Sequence, residues 1–410
     1  MLSREGVGQR SETVRRANLS AIVRELHARG PLSRSELVAR TGLTRSAIRG
    51  LIGEFVAADL VTEERSTSAG APGRPSPLVR PRPAAVVVIA LEVSVDSLAV
   101  ALVGLGGETL ELVRVDRPRG HLTVDDIVAD LQELIERLSL LAPNRDALVG
   151  VGVAVVGVVR RTDGHVSTAP NLGWRDVPLG DILANALGLG VPIHVANEAD
   201  LGALVELRRG AARGADDVLF IQGEVGVGGG IIVDGQPLTG AAGYAGEIGH
   251  MSFSPNGAPC HCGSIGCWET EIGERALLTL AGRQADGGRD AVDAVIADAR
   301  AGVPLAFAAL DAVGTSLGMG VSALVNMLNP RVVVLGGLFS RIYPFIAERI
   351  DSQLDRFALA APRALVRVAP ATLGVDAPLL GAAELAFEPF LADPAAWLGP
   401  RELLAAAASA

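Results

Sequence analysis

The chain of 410 residues contains no lysine, since all 36 of its basic residues are arginine. Codon bias can produce that pattern, and we attach no functional weight to it. Cysteine is scarce as well, because the three cysteines all lie between Cys260 and Cys267. So short a segment does not provide a disulfide framework and suits a metal site better.

Long hydrophobic runs are also missing. The longest apolar stretch, residues 147–159, has 13 residues and is interrupted by glycine, whereas a membrane-spanning helix needs about 20. The first six residues lack the apolar segment of a signal peptide. We therefore expect a soluble, cytoplasmic protein with no membrane partner.

The composition that is present favours a folded protein with two kinds of surface. Apolar residues make up 49% of the chain and charged residues 20%, which supports a large core and excludes wholesale disorder. The length suggests two or three domains. Residues 1–82 carry a net charge of +6 and the remainder a net charge of −16. This division predicts that only the basic head meets a polyanion.

The basic head has the pattern of a winged helix-turn-helix. Apolar residues recur at helical spacing over residues 17–29, and Ser33 with Glu36 forms a capping box for a second helix. Thr44 can cap a third helix, which would lie in the major groove. Two wing strands are expected at residues 60–62 and 78–80, so this domain is placed at residues 1–65, with the wing and tether extending to residue 83.

The candidate DNA contacts lie at the amino end of the third helix and at the tip of the wing. They are Thr44, Arg45, Ser46, Arg49 and Arg74. The helix residues would contact bases or phosphates of double-stranded operator DNA, and Arg74 has an extended Gly-Arg-Pro context suited to a narrow minor groove. The alternative is a small three-helix bundle whose exposed face is rich in arginine.

The body contains two similar strand–turn–strand segments, which begin at Val86 and at Val218. Strands that alternate with helices predict an α/β fold, and two copies of one hairpin predict two lobes around a cleft. The second turn is rich in glycine, as phosphate-binding turns are, although close packing needs glycine too. We place the first lobe at residues 84–198, with a C-terminal helix at about 384–402 returning to it, and the second lobe at residues 199–383.

The segment that contains the cysteines predicts a zinc site. Its candidate ligands are His250, Cys260, Cys262 and Cys267. One imidazole and three thiolates form a closed tetrahedral Zn²⁺ site with no position for water, so the zinc would be structural. Spacing leaves open whether His261 replaces His250, and the alternative is three free thiols in a loop.

The same segment carries a family resemblance. Gly246-Glu-Ile-Gly-His250, followed by Cys-x-Cys-Gly-x-x-Gly-Cys-x-Glu ending at Glu269, resembles the signature of the ROK family of repressors, open reading frames and kinases. Further family landmarks lie on both sides of this signature in the expected order along the chain, at residues 170–174, 197–200, 329–330 and 336–337. The resemblance implies a two-lobed, actin-like (ribonuclease H-like) sugar kinase fold, His250 as the fourth zinc ligand, and a homodimer or homotetramer.

The resemblance also assigns a sugar-binding set. These residues are Asn171, Asn197, Glu198, Glu247, His250 and Glu269. Carboxylates and carboxamides form directed hydrogen bonds with hydroxyls, and a buried polar site discriminates against ligands that lack them. Taken singly, a buried Asn or Glu is more often a structural hydrogen-bonding residue.

Three departures separate this chain from the kinases of the family. The first turn has Ser94, Val95 and Asp96 where the kinases have Gly-Gly-Thr, and the second has Glu224 in place of a glycine. Glu198 stands at the position of the aspartate base and is one methylene longer. Because the added carboxylates would repel a polyphosphate, ATP binding and catalysis are not expected.

Together these features predict a transcriptional repressor of sugar-metabolism genes. A winged helix ahead of this body resembles the repressor branch of the family, and a sugar or sugar-phosphate effector would control it from the cleft. The alternative is an active ATP-dependent sugar kinase with an autoregulatory DNA-binding head, for which Glu198 would be the base. An activator, or a regulator with a protein effector, is also compatible with the sequence.

Overall fold

The computed structural model describes residues 5–64, 76–120 and 123–398. The helices are α1 (Glu5–Arg29), α2 (Arg34–Thr41), α3 (Arg45–Ala57), α4 (Val124–Glu136), α5 (Leu179–Leu187), α6 (Glu198–Arg209), α7 (Glu269–Ile272), α8 (Glu274–Leu280), α9 (Gly288–Arg300), α10 (Pro304–Leu328), α11 (Leu338–Phe357), α12 (Ala360–Leu365) and α13 (Ala377–Ala392). The strands are β1 (Leu32–Ser33), β2 (Val61–Glu64), β3 (Leu78–Pro81), β4 (Val87–Val93), β5 (Ser97–Gly104), β6 (Glu108–Asp116), β7 (Leu148–Val155), β8 (Val158–Arg160), β9 (His165–Ala169), β10 (Trp174–Val177), β11 (Ile193–Asn197), β12 (Val218–Gly223), β13 (Val227–Val233), β14 (Gln236–Pro237), β15 (Val332–Gly337) and β16 (Arg367–Pro370).

The amino-terminal part consists of α1, α2 and α3 with a small sheet of order β1-β3-β2. Ser33 and Glu36 form the predicted capping box at the start of α2, and the Thr44 hydroxyl accepts a hydrogen bond from the Ala47 amide at the start of α3. Ile22, Phe55 and their neighbours from all three helices share one core. The apolar face of each helix thus determines how the three pack.

Local details of this part differ from the sequence prediction. The first helix begins at Glu5 rather than near residue 17, and a short strand, β1, pairs with β3. Two residues are too few for strand propensity to show in a sequence. The loop between β2 and β3, which includes Arg74, lies outside the described residues.

The body contains two five-stranded sheets with matching topology. The first has the order β11-β7-β4-β5-β6 and the second the order β14-β13-β12-β15-β16. In each, an antiparallel hairpin (β4–β5 and β12–β13) adjoins a parallel strand (β7 and β15). The predicted repeat of one α/β unit is confirmed.

Two helices, α6 and α13, pack against each other between the two sheets. α13 lies on β4 and β7, whereas α6 lies on β12 and β13. The C-terminal helix was predicted at about residues 384–402. The predicted start is wrong, because α13 begins at Ala377; the helix ends at Ala392. Its first two turns are rich in small residues that pack closely on α6, which hides the helical period in the sequence.

One helix, α10, is long and apolar enough to cross a membrane by length and composition alone. However, 61% of its most apolar window is buried inside the fold, where it packs against α11, α8 and α9. This is the pattern of a core helix in a large α/β protein.

Candidate functional site

A cleft of about 740 Å³, including open solvent, lies where the two hairpin turns and the amino end of α6 face each other. All six predicted sugar-binding residues line it: Asn171, Asn197, Glu198, Glu247, His250 and Glu269. The residues expected to separate this chain from the kinases line it too: Ser94, Val95, Asp96 and Glu224. The fold therefore brings together residues that are up to 175 positions apart in the sequence, from Ser94 to Glu269.

Asn197 combines a structural role with its place in the cleft. Its Oδ1 accepts hydrogen bonds from the amides of Ala199 at 2.7 Å and Asp200 at 3.4 Å, which caps α6. Its Nδ2 donates to the Gly157 carbonyl at 2.8 Å. Only the second N–H of the carboxamide is left for a ligand, so most of this side chain's hydrogen bonding holds the cleft in shape.

Glu198 is the first residue of α6 and shares the cleft with Glu224. Burial, and then the neighbouring Glu224, Glu92 and Asp96, raise the pKa of Glu198 to about 8. Burial also raises the pKa of Glu224 to about 7, although Arg289 opposes that shift. Glu198 is therefore mainly protonated at neutral pH, which suits a hydrogen-bond donor better than a general base.

The charge of Asp96 is compensated in a way that the sequence reasoning missed. Its carboxylate lies 3.0 Å from the Arg119 guanidinium and 3.6 Å from that of Arg289. Arg119 also binds the buried Glu274 at 2.5 Å, so it joins the first sheet's hairpin to α8. The expected repulsion of a polyphosphate by Asp96 is thus much weaker than a free carboxylate would give, because two ion pairs compensate its charge.

Two glycines of β13, Gly228 and Gly230, pack against α6. A Cβ at Gly230 would lie 2.3 Å from the Ala199 carbonyl oxygen, and one at Gly228 would lie 3.0 Å from the Ala199 Cβ. These residues let β13 approach α6 at backbone distance. The structure thus supports the packing interpretation for this part of the glycine run.

The four predicted metal ligands converge. The ligand atoms of His250, Cys260, Cys262 and Cys267 all lie within 4.8 Å of one another. His250 Nδ1 is 3.7 Å from the Cys260 sulfur, and the sulfurs of Cys262 and Cys267 are 3.6 Å apart. His261 points elsewhere, with its Nδ1 3.4 Å from Asn171 Oδ1. The structure therefore selects His250 over His261 for a cluster that can hold a metal ion.

The His/Cys cluster and the cleft share side chains. The Cys260 sulfur lies 2.7 Å from Glu269 Oε1, and the other oxygen of Glu269 accepts a hydrogen bond from the Val227 amide at 3.4 Å. The ring of His250 presents Nδ1 to the sulfurs and Nε2 toward Glu247, at 3.9 Å. A metal held here would fix the orientation of the His250 ring and of its neighbours in the cleft.

The predicted DNA-contacting residues of α3 lie on one exposed surface. Arg45, Ser46 and Arg49 are exposed, while the Thr44 hydroxyl is engaged in capping and contacts the Ser46 hydroxyl at 3.0 Å. In the described residues, Arg45 and Arg49 form no ion pair, whereas Arg34 is paired with Glu63. The amino end of α3 thus presents unpaired positive charge, the property that a phosphate or a base edge recognises.

Comparison with known proteins leads to one family. Residues 88–388 match the model of the ROK family. The xylose repressor of Bacillus spizizenii is 27% identical over 380 residues, which cover 92% of this chain and 97% of that protein. A glucokinase of Halalkalibacterium halodurans is 32% identical over 311 residues, which cover 72% of this chain and 92% of that enzyme.

A solved structure is also similar to nearly the whole of this chain. It is the crystal structure of a ROK family transcriptional regulator, a homologue of the Escherichia coli Mlc protein, with a TM-score of 0.75 at 25% identity. The match covers 92% of this chain and 97% of that one. Since the family model matches most of the body and both kinds of relative align along nearly their whole length, this chain belongs to the ROK family.

Proposed function

We propose that this protein is a DNA-binding transcriptional repressor of sugar-metabolism genes, controlled by a sugar bound in the cleft. One observation carries the proposal. Six side chains of the types that form hydrogen bonds with sugar hydroxyls line a single cleft, and the amino-terminal part of the same chain presents exposed arginines on α3. The xylose repressor, which aligns with 92% of this chain, supports it.

The charge of the cleft favours a neutral sugar over a sugar phosphate. Five carboxylic acids line it, Asp96, Glu198, Glu224, Glu247 and Glu269, and no arginine does so in the described part of the chain. Asp96 is paired with two arginines and Glu198 is mainly protonated, so the other three acids of this partly desolvated cleft would supply most of the repulsion of a phosphoryl group. The hydroxyls of an uncharged monosaccharide instead match carboxylates, carboxamides and the protonated Glu198 as donors and acceptors.

We propose that the His/Cys cluster holds a structural Zn²⁺ ion. The donor set of His250, Cys260, Cys262 and Cys267 is one that zinc prefers, and the compact arrangement of the four residues supports tetrahedral coordination. Four protein ligands leave no position for a reacting water. Zinc would therefore brace the loop that carries His250 and Glu269 into the cleft.

We propose that the amino-terminal part is a winged helix-turn-helix, spanning residues 1–65 with its wing and tether to 83. Thr44, Arg45, Ser46 and Arg49 would contact the major groove of operator DNA, and Arg74 the minor groove. A homodimer or homotetramer in the cytoplasm would present two such heads to half-sites spaced by a helical turn or a multiple of it.

Catalysis is not part of the proposal. Glu198 is largely protonated at neutral pH, and the ion pairs of Asp96 occupy the first hairpin turn. The glucokinase relatives favour the alternative of an ATP-dependent sugar kinase with an autoregulatory head. A coupled ATPase assay with D-glucose and D-xylose separates the two, since turnover that Glu198→Ala abolishes would establish the kinase.

The test of the proposal is an operator titration. A DNA duplex selected from a random pool by the full-length protein is titrated at fixed salt, with and without D-xylose, D-glucose or N-acetylglucosamine. We expect one sugar to weaken DNA binding by a factor of about 5 to 150, the usual range for coupled sites. Unchanged affinity across the panel would refute control by a sugar.

A further inference from the structure

Helix α6 connects two places that the proposed function must link. Its amino end, at Asn197 and Glu198, forms part of the cleft, and its carboxyl end carries Arg208 and Arg209. A helix of 12 residues is about 18 Å long. The two arginines therefore stand about three helical turns from the residues that would contact a sugar.

At that carboxyl end, the arginines join the body to α1 of the head through a buried carboxylate. Glu384 of α13 is 2% exposed, and its two oxygens accept hydrogen bonds from Arg209 Nε at 2.5 Å and Arg208 Nη1 at 2.8 Å. His27 of α1, which is 1% exposed, places its Nε2 3.2 Å from the same carboxylate. Glu384 is thus bound both by α6, through its two arginines, and by α1 of the head, through His27.

Further contacts complete this junction, which we define as His27, Gly106, Arg208, Arg209 and Glu384. The Gly106 amide donates to His27 Nδ1 at 3.1 Å, and Arg209 Nη1 donates to the Gly106 carbonyl at 2.9 Å. Since Nδ1 accepts a hydrogen bond, the imidazole is the neutral tautomer with its proton on Nε2, facing Glu384.

The charges around the junction agree with that tautomer. Burial lowers the pKa of His27, and Arg209 and Arg208 lower it further against the opposing effect of Glu384. Burial alone would raise the pKa of Glu384, but the hydrogen bond from the neutral His27 and the charges of the two arginines bring it well below its usual range. At the rim, Glu388 is bound by Arg208 and, at 3.1 Å, by Arg24 of α1.

The amino end of α6 is packed at backbone distance on both sides. A Cβ at Gly381 of α13 would lie 2.1 Å from the Leu201 carbonyl oxygen of α6, and the contact of Gly230 with Ala199 is equally close on the other side. Backbones in such contact do not slide past each other without repacking. Because the hydrogen bonds within a helix of 12 residues make it rigid, a shift at the amino end of α6 reaches its carboxyl end as a displacement of the whole helix.

We propose that α6 transmits the state of the cleft to the DNA-binding head, and that Arg208 and Arg209 are the positioning residues that pass it to His27 through Glu384. The inference rests on the proposed function, because it presumes a sugar in the cleft and DNA on the head. Closing the cleft around a sugar displaces the two guanidiniums, and with them the carboxylate on which α1 is seated. The head then leaves the orientation that fits its DNA half-site.

Arg209→Gln tests this inference in the full-length protein. The matched control is Arg137→Gln, which removes a guanidinium from an exposed i,i+4 pair with Glu133 on α4. For each variant, DNA affinity is measured by fluorescence anisotropy with the selected duplex, with and without the sugar that acts on the wild type. Sugar affinity is measured by calorimetry without DNA, and thermal unfolding reports whether the fold is intact.

We expect Arg209→Gln to reduce the sugar-dependent change in DNA affinity to less than about threefold, compared with the 5- to 150-fold range typical of coupled sites. Sugar affinity should stay within about threefold of the wild type, because the substitution lies some 18 Å from the cleft. Arg137→Gln should retain the wild-type coupling. Arg209→Lys, which keeps the charge beside Glu384, should restore part of it.

An Arg209→Gln protein that folds and keeps the full wild-type coupling would overturn the inference. If the variant fails to fold, His27→Gln approaches the same junction from the head and must uncouple the two sites in its place; full coupling in that variant is equally contrary. A wild-type protein that ignores every sugar would instead contradict the proposed function, which keeps the two failures distinct.

Discussion

The two asparagines of the cleft should respond differently to alanine substitution. Asn197 caps α6 and donates to the Gly157 carbonyl, whereas the side chain of Asn171 contacts only the exposed His261, at 3.4 Å, among the described hydrogen-bonding partners. Loss of a cap costs about 1 kcal/mol, and loss of one further hydrogen bond about 1 kcal/mol. We therefore expect Asn197→Ala to lower the free energy of unfolding by about 2 kcal/mol and Asn171→Ala by less than about 0.5 kcal/mol.

Urea unfolding followed by circular dichroism measures the stability difference, and calorimetry with the active sugar measures binding. Asn171→Ala should weaken sugar binding by about 2- to 12-fold, which corresponds to one hydrogen bond of about 0.5–1.5 kcal/mol. Asn197→Asp retains a capping oxygen but loses the donor to Gly157, so its stability should be intermediate. Equal stability of the two alanine variants would refute the assignment of Asn197 as a structural cap.

Three further expectations follow from the described contacts. Purified protein should contain one zinc ion per chain by elemental analysis, and Cys267→Ser should lose the metal and lower the unfolding temperature; a metal-free wild type would contradict this. Arg49→Ala should weaken DNA binding by about 1–3 kcal/mol at fixed salt without changing sugar affinity, and unaltered binding would place the DNA surface elsewhere. Because the pKa of His27 is lowered from 6.5, the stability provided by the neutral ring is complete above pH 6.5 and is lost as pH falls below it, since the unfolded chain takes up the proton first. Thermal unfolding at pH 7.5 and 5.5 should thus show a smaller acid destabilisation in His27→Gln, and identical pH dependence would exclude a neutral buried His27.

The sequence revealed those parts of the molecule whose chemistry is local. The capping box at Ser33 and Glu36 is written within four residues, and the His/Cys cluster within eighteen, so both could be predicted from spacing. The repeated hairpin was visible because strands buried on both faces read as continuous apolar runs.

Features that depend on distant pairing were not visible. The compensation of Asp96 by Arg119 and Arg289 joins three elements, and no spacing rule connects them. Spacing alone left the choice between His250 and His261 open, because both histidines are close to the cysteines in sequence. The family resemblance implied His250, and the folded loop brings that ring to the sulfurs. The glycines of β13 resembled a phosphate-binding turn until the position of α6 showed what they pack against.

The contact of α1 with α13 has a consequence for synthesis of the chain. His27 and Glu384 are 357 positions apart, so a ribosome has made nearly the whole protein before the partner of the first helix emerges. Until then His27 lacks its carboxylate partner, although the Gly106 amide that also binds its ring has already been made. A prematurely terminated polypeptide that lacks α13 would therefore carry the amino-terminal helices without the carboxylate that His27 of α1 contacts.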